Sequence, residues 1–148
     1  MTKLWTVGTI FALAGCQGGA ARSDAIAEVH IQGADYAFVG VPETLPAGRT
    51  AFSYQNIGKV PHEMGISLLL PGRTFDDVVH ADERKTPDDS LFANVGGILI
   101  TGAGETAGGK ILLDLQPGRA YLLWCNFRDT TGAKHHSAMG MLGAFTVR

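Results

Sequence analysis

The last thirty residues, Arg119 to Arg148, read RAYLLWCNFRDTTGAKHHSAMGMLGAFTVR, and they decide the fold. The runs at its two ends, Arg119 to Phe127 and Gly143 to Val147, have the apolar, aromatic and β-branched content of strands. Between them stand a cysteine (Cys125), two histidines (His135, His136) and two methionines (Met139, Met141). Alternation puts Tyr121, Leu123 and Cys125 on one face of the first run, so the thiol points inward with core side chains, while Leu122 and Trp124 take the other face. Thiolate, imidazole and thioether are the ligand types that copper accepts in both oxidation states. A mononuclear centre of two His, one Cys and a long axial Met then needs its other histidine from upstream.

Working outward, Lys110 to Leu115, the turn Gln116-Pro117-Gly118 and the Arg119 to Phe127 run together predict a β-hairpin. Val95 to Thr101 is a further strand, followed by a loop over Gly102 to Thr106. Phe75 to Lys85 is the convincing helical stretch, with Phe75, Val78, Val79 and Asp82 at helical spacing and acidic residues ahead of basic ones; it ends before Pro87. His80 lies there among charges and is expected to be exposed. Further upstream, His62, Met64, Ile66 and Leu68 alternate with Glu63, Gly65 and Ser67, so His62 opens a strand with its ring on the core-facing side. A core-facing imidazole needs partners for both nitrogens, because burial without them costs a few kcal/mol. A metal on one and a hydrogen bond on the other would serve, and so would backbone carbonyls. Thr50 to Asn56, Tyr36 to Val41 and Ala27 to Ile31 complete the strands, with His30 on the wet face of the last.

The composition agrees with this pattern. A chain of 148 residues, 45% hydrophobic, suits one compact domain with a real core. Twenty glycines and only 18% charged residues favour a loop-rich β protein over a helical bundle. With a formal charge of −2 and no Lys/Arg cluster, nucleic acid is excluded as a partner.

Residues 1–15 read as a secretory signal, with Lys3 as the positive region and Leu4 to Leu13 as an apolar run too short to span a bilayer. The sequence Leu13-Ala-Gly-Cys16 resembles the bacterial lipoprotein box, which implies cleavage before Cys16 and lipidation of its thiol; ordinary cleavage near Ala20 or Ala21 is the alternative. Residues 16–24 are then a tether and 25–148 the domain, held by lipid on the periplasmic or cell-surface side of a bacterial membrane. Cys125 is left as the one unmodified thiol in an oxidising compartment, a liability unless a metal uses it. A small buried hydrophobe, a disulfide to Cys16 and a Cys/His nucleophile are the other readings of that thiol.

His136-Ser-Ala-Met-Gly-Met141-Leu-Gly143 closely resembles the copper-binding loop of plastocyanin-type cupredoxins, in which a His is followed five positions later by a Met within a G-M-x-G ending. Tyr121-x-x-x-Cys125 resembles the strand that delivers the cysteine in those proteins. Asn56-Ile-Gly58-Lys-Val-Pro61-His62 is similar to the N-x-G…P-H segment that supplies the first histidine. The likeness runs from Gln32 to Arg148. It implies an all-β Greek-key β-sandwich of about seven or eight strands with one short helical excursion. It also implies one copper ion held by His62, Cys125, His136 and axial Met141, in a monomeric one-electron carrier that meets redox partner proteins. An enzyme of this type needs additional copper sites, which His30 and His80 are poorly placed to build.

The resemblance further implies that His136 lies near the surface as an electron port, and that Trp124 marks a second route unless it is packed under the neighbouring insert. That insert is where the chain departs from plastocyanins and azurins: ten residues, Asn126 to His135, separate the cysteine from the second histidine, where those proteins have only a few. Asp129-Thr-Thr-Gly132 is a turn signal that would fold the insert into a projecting hairpin. His136 is preferred to His135 because both the His-to-Met and the Met-to-Gly spacings then match. Two competing readings remain: a Cu(I) trafficking or sequestration site drawn from Met64, Met139, Met141, His62 and His135, and a metal-free cupredoxin-like binding module.

Overall fold

A computed structural model describes residues 25–84 and 86–148; the leader, Cys16 and the tether lie outside the described residues. Among the described residues, nine strands form two sheets. They are β1 (Ala27–Ala34), β2 (Ala37–Val39), β3 (Thr44–Leu45), β4 (Gly48–Asn56), β5 (His62–Leu69), β6 (Phe92–Thr101), β7 (Ile111–Leu115), β8 (Ala120–Trp124) and β9 (Leu142–Val147). One sheet has the order β2-β1-β4-β7 and the other β3-β9-β8-β5-β6. Two parallel pairings, β1 with β4 and β3 with β9, interrupt the antiparallel ladders. The inner faces meet in one core in which Ile31, Phe52, Tyr54, Ile111, Leu113 and Leu115 from the first sheet face Met64, Ile66, Tyr121, Leu123, Phe145 and Val147 from the second.

The predicted hairpin of Lys110 to Phe127 is not one. The turn is where expected, with Gly118 at φ 72° and its N–H donating to Val147 O at 2.8 Å. The chain nevertheless changes sheet there, β7 pairing with β4 and β8 with β5 and β9. Each strand has one inward apolar stripe, and placing the strands in opposite sheets sets the stripes against each other across the core. The Tyr121 hydroxyl accepts from Gln116 N–H at 3.1 Å and braces the crossing, while its ring stacks on Phe145 at 5.2 Å.

The predicted helix Phe75 to Lys85 is broken into α1 (Phe75–Val79) and α2 (Ala81–Arg84). Thr74 and Asp77 close a capping box at its start. At His80 the backbone leaves the helical region (φ −101°, ψ 12°), and the ring binds Asp76 O at 3.0 Å. This excursion connects β5 to β6, and Ala81 and Leu91 from it are buried, as is Leu122 on the outward side of β8.

Candidate metal centre

One end of the sandwich gathers the starts of β5 and β9, the ends of β8 and β4, and the turn from β1 to β2. His62 is the first residue of β5, and Cys125 directly follows β8. His136 and Met141 flank a 3₁₀ turn at Ser137–Met139 that leads into β9. His62, Cys125, His136 and Met141 are all buried, none more than 1% exposed. The imidazole Nδ1 atoms of His62 and His136 are 3.0 Å apart, and Cys125 Sγ lies 3.5 Å from His136 Nδ1 and 3.9 Å from His62 Nδ1.

Backbone and buried polar groups fix each member. Asn56, itself buried, donates to Val60 O (2.8 Å) and Gly102 O (3.0 Å) and accepts from Gly58 N–H, pinning the loop that delivers His62. Glu63 N–H donates to Cys125 Sγ at 3.4 Å, and the Glu63 carboxylate accepts from Asn126 N–H at 2.9 Å, so that one residue brackets the cysteine. Ser137 N–H donates to Cys125 O (2.8 Å), and Met141 N–H to His136 O (2.9 Å), which ties the methionine to the histidine five positions before it. Gly140, left-handed at φ 110°, reverses the chain between them.

Among the described residues, His62, Cys125 and His136 are the one group of three or more His, Cys, Asp or Glu side chains close enough to share an ion. Atoms spaced at 3.0, 3.5 and 3.9 Å have a common point about 2.0 Å from each, which is the length of an imidazole–metal bond and slightly under a thiolate–metal bond. Two buried nitrogens facing each other at 3.0 Å repel unless a proton or a cation lies between them. Burial, and then the His136 imidazole, hold the His62 pKa below its usual value, with Asp35 opposing. Burial pushes the Cys125 thiol up, while the N–H groups of Glu63 and Phe127 favour the thiolate. The donor set fits a copper ion of either oxidation state.

His135 turns away from this cluster. Its ring donates to Asn126 O at 2.6 Å and receives a hydrogen bond from Arg128. Met64 packs in the core and Met139 is exposed, so the sulfur-rich set does not assemble. His30 and His80 sit on Ser53 and Asp76, remote from the cluster in the fold.

The expected surface port is corrected. His136 is buried because Tyr36 and Asp129 lie over it: its Nε2 meets Asp129 Oδ1 at 3.0 Å, and the Tyr36 ring stands edge-on at 5.1 Å. The insert is no projecting hairpin either. It contains no strand, closes at its base through His136 N–H to Phe127 O (2.8 Å), and folds back over the site. Trp124 is half-buried, donates to Ser67 Oγ at 2.8 Å, and covers Gly65 on the neighbouring strand.

Sequence reasoning missed four residues at this site: Asp35, Tyr36, Glu63 and Asp129. Asp35 Oδ1 is 3.6 Å from His62 Nε2, a nearby charge beyond hydrogen-bond reach, and it accepts from Lys59 N–H at 2.7 Å. That last bond is the main reason its carboxyl stays below the usual range. The one available signal was Asp129 within a turn motif, which says nothing about where its side chain goes.

No protein-family model matches the sequence, and no curated protein matches it either. Solved structures do resemble it. A dithionite-reduced auracyanin from the photosynthetic bacterium Roseiflexus castenholzii superposes with a TM-score of 0.55 at 20% identity, covering 82% of this chain and 97% of that one. Auracyanin A, a blue copper protein from the green thermophilic photosynthetic bacterium Chloroflexus aurantiacus, gives 0.55 at 17%, covering 84% and 100%. An azurin from the methylotroph Methylomonas sp. strain J gives 0.52 at 16%, covering 82% and 98%.

Proposed function

We propose, taking as premise that this chain has the cupredoxin fold, that His62, Cys125, His136 and Met141 would hold one copper ion and that the protein carries single electrons between redox partner proteins as a monomer. The observation that carries this reading is the convergence of two buried imidazole nitrogens and a buried thiol within 3.9 Å. Bound there, copper would supply a Cu(I)/Cu(II) couple, both states of which suit two imidazoles, a thiolate and a weak thioether.

The protein's own part is positional. Asn56 and Glu63 hold the loop and the strand end that present His62 and Cys125, so the donors stand in place before any ion arrives. N–H groups directed at the sulfur favour the anionic thiolate that a metal requires. The reading also takes in, on sequence pattern alone, export and a lipid on Cys16 that holds the domain on the periplasmic or cell-surface side of a bacterial membrane.

The test is the visible spectrum of the purified protein after Cu(II) is added. An intense thiolate-to-copper charge-transfer band with reversible reduction is expected. It should vanish in Cys125→Ser and shift, with the potential, in Met141→Leu. Colourless Cu(I) binding would favour trafficking, no binding the metal-free module, and a band retained in Cys125→Ser would discard the ligand set.

A further inference from the structure

Asp129 accepts two hydrogen bonds, one on each oxygen: from the Tyr36 phenol to Oδ2 at 2.7 Å and from His136 Nε2 to Oδ1 at 3.0 Å. An ionised carboxylate only accepts, so the proton of a neutral His136 ring resides on Nε2. Nδ1 is then left as a bare lone pair, and it is the atom facing Cys125 Sγ at 3.5 Å. A carboxylate on the far side of an imidazole in this way selects its tautomer and holds its plane.

Tyr36 supplies a second, independent observation. It is the single non-glycine residue at positive φ (62°) among the described residues. It occupies a two-residue turn between β1 and β2, a position where Gly or Asn would be unstrained. A bulky aromatic there is disfavoured and is held only by the contacts its side chain makes. Its ring stands edge-on to His136 (5.1 Å, 82°) and to His62 (6.3 Å, 87°), and its hydroxyl binds Asp129. The inserted loop contributes the carboxylate and the strained turn contributes the phenol, and their side chains meet over the buried histidine.

We propose that Asp129, held by Tyr36, is a positioning residue for His136: it keeps the proton on Nε2, aims Nδ1 at Cys125, and places a fixed negative charge that favours oxidised over reduced copper. The insert between the cysteine and the second histidine is thus part of the metal centre. The charge effect rests on the copper reading given above; the tautomer does not.

The first measurement therefore uses metal-free full-length protein at neutral pH, with the His136 tautomer read from long-range ¹⁵N–¹H correlations. The wild type should show the Nε2–H form alone, and Asp129→Ala a mixture in which Nδ1–H is populated. Tyr36→Phe should show a smaller admixture. An unchanged, pure Nε2–H signal in Asp129→Ala overturns the positioning role. The second measurement compares Cu(II) and Cu(I) affinities in Asp129→Asn, which keeps an acceptor oxygen and loses the charge, so that the tautomer should persist. The Cu(II)/Cu(I) affinity ratio should fall about tenfold, which raises a one-electron potential by about 59 mV. An unchanged ratio overturns the charge effect. If the wild type binds no copper the functional reading falls, and the tautomer measurement still decides what Asp129 does.

Discussion

Two glycines near the site are required by what lies against them. A Cβ on Gly33 would stand 2.0 Å from the Tyr54 hydroxyl and 3.1 Å from Met141 Cε. A Cβ on Gly58 would stand 2.3 Å from Asp35 Oδ1 and 3.1 Å from His62 Nε2. Each marks a place where backbone is approached by a side chain of the centre, so the glycine of the N-x-G segment is what admits Asp35 to His62. Gly33→Ala should lower stability by about 1–3 kcal/mol through overpacking, and because Tyr54 and Met141 must both shift, it should also move the copper absorption. A denaturant midpoint and one spectrum check this; unchanged stability would mean that the pocket at residue 33 is loose.

At the scale of elements, what was legible depended on whether a pattern was local. Alternation over His62 to Leu68 located β5 and the inward face of His62, and alternation over Tyr121 to Cys125 located β8 and the buried thiol. The sheet change between β7 and β8 was not legible, because a Pro-Gly turn reads the same whether the strands it joins pair or part. Nor was the break at His80, where the backbone leaves the helical region although its N–H and its ring both bind Asp76 O. The start of α1 allows a prediction with a sign. Asp77 accepts from Thr74 N–H (2.9 Å), which, with the Thr74 hydroxyl, holds its carboxyl below the usual range. A depressed carboxyl stabilises the folded helix above its unfolded pKa, and that stabilisation is lost as pH falls through the folded one. Hydrogen exchange of the α1 amides should therefore quicken on acidification below the ordinary carboxylate range, and Asp77→Asn should remove that dependence.

In the whole molecule, the donors come from chain segments that only the completed sandwich brings together, with His62 and His136 lying 74 positions apart. Family-like motifs pointed to His62, Cys125 and His136, which the fold brings together, and to Met141. The shell outside them was not legible, because the Tyr36–Asp129 bond spans 93 positions, Tyr36 belongs to no motif, and the turn motif that holds Asp129 does not say where its side chain goes. A site formed only in the folded state couples ion binding to folding. Copper at a hundredfold excess over its dissociation constant should add about 2.7 kcal/mol to stability. Calorimetry with and without copper should show a raised Tm in the wild type and a far smaller rise in Cys125→Ser; equal rises would place the ion elsewhere.

The cover that Tyr36 and Asp129 form over His136 has a kinetic corollary. An ion cannot reach three sealed donors by collision alone; the loop closed between Phe127 and His136 must first lift away. Stopped-flow uptake should then saturate, its rate levelling off as copper concentration rises, and Asp129→Ala should raise the plateau. The same barrier slows escape, so that an ion once captured would stay through many rounds of reduction and reoxidation.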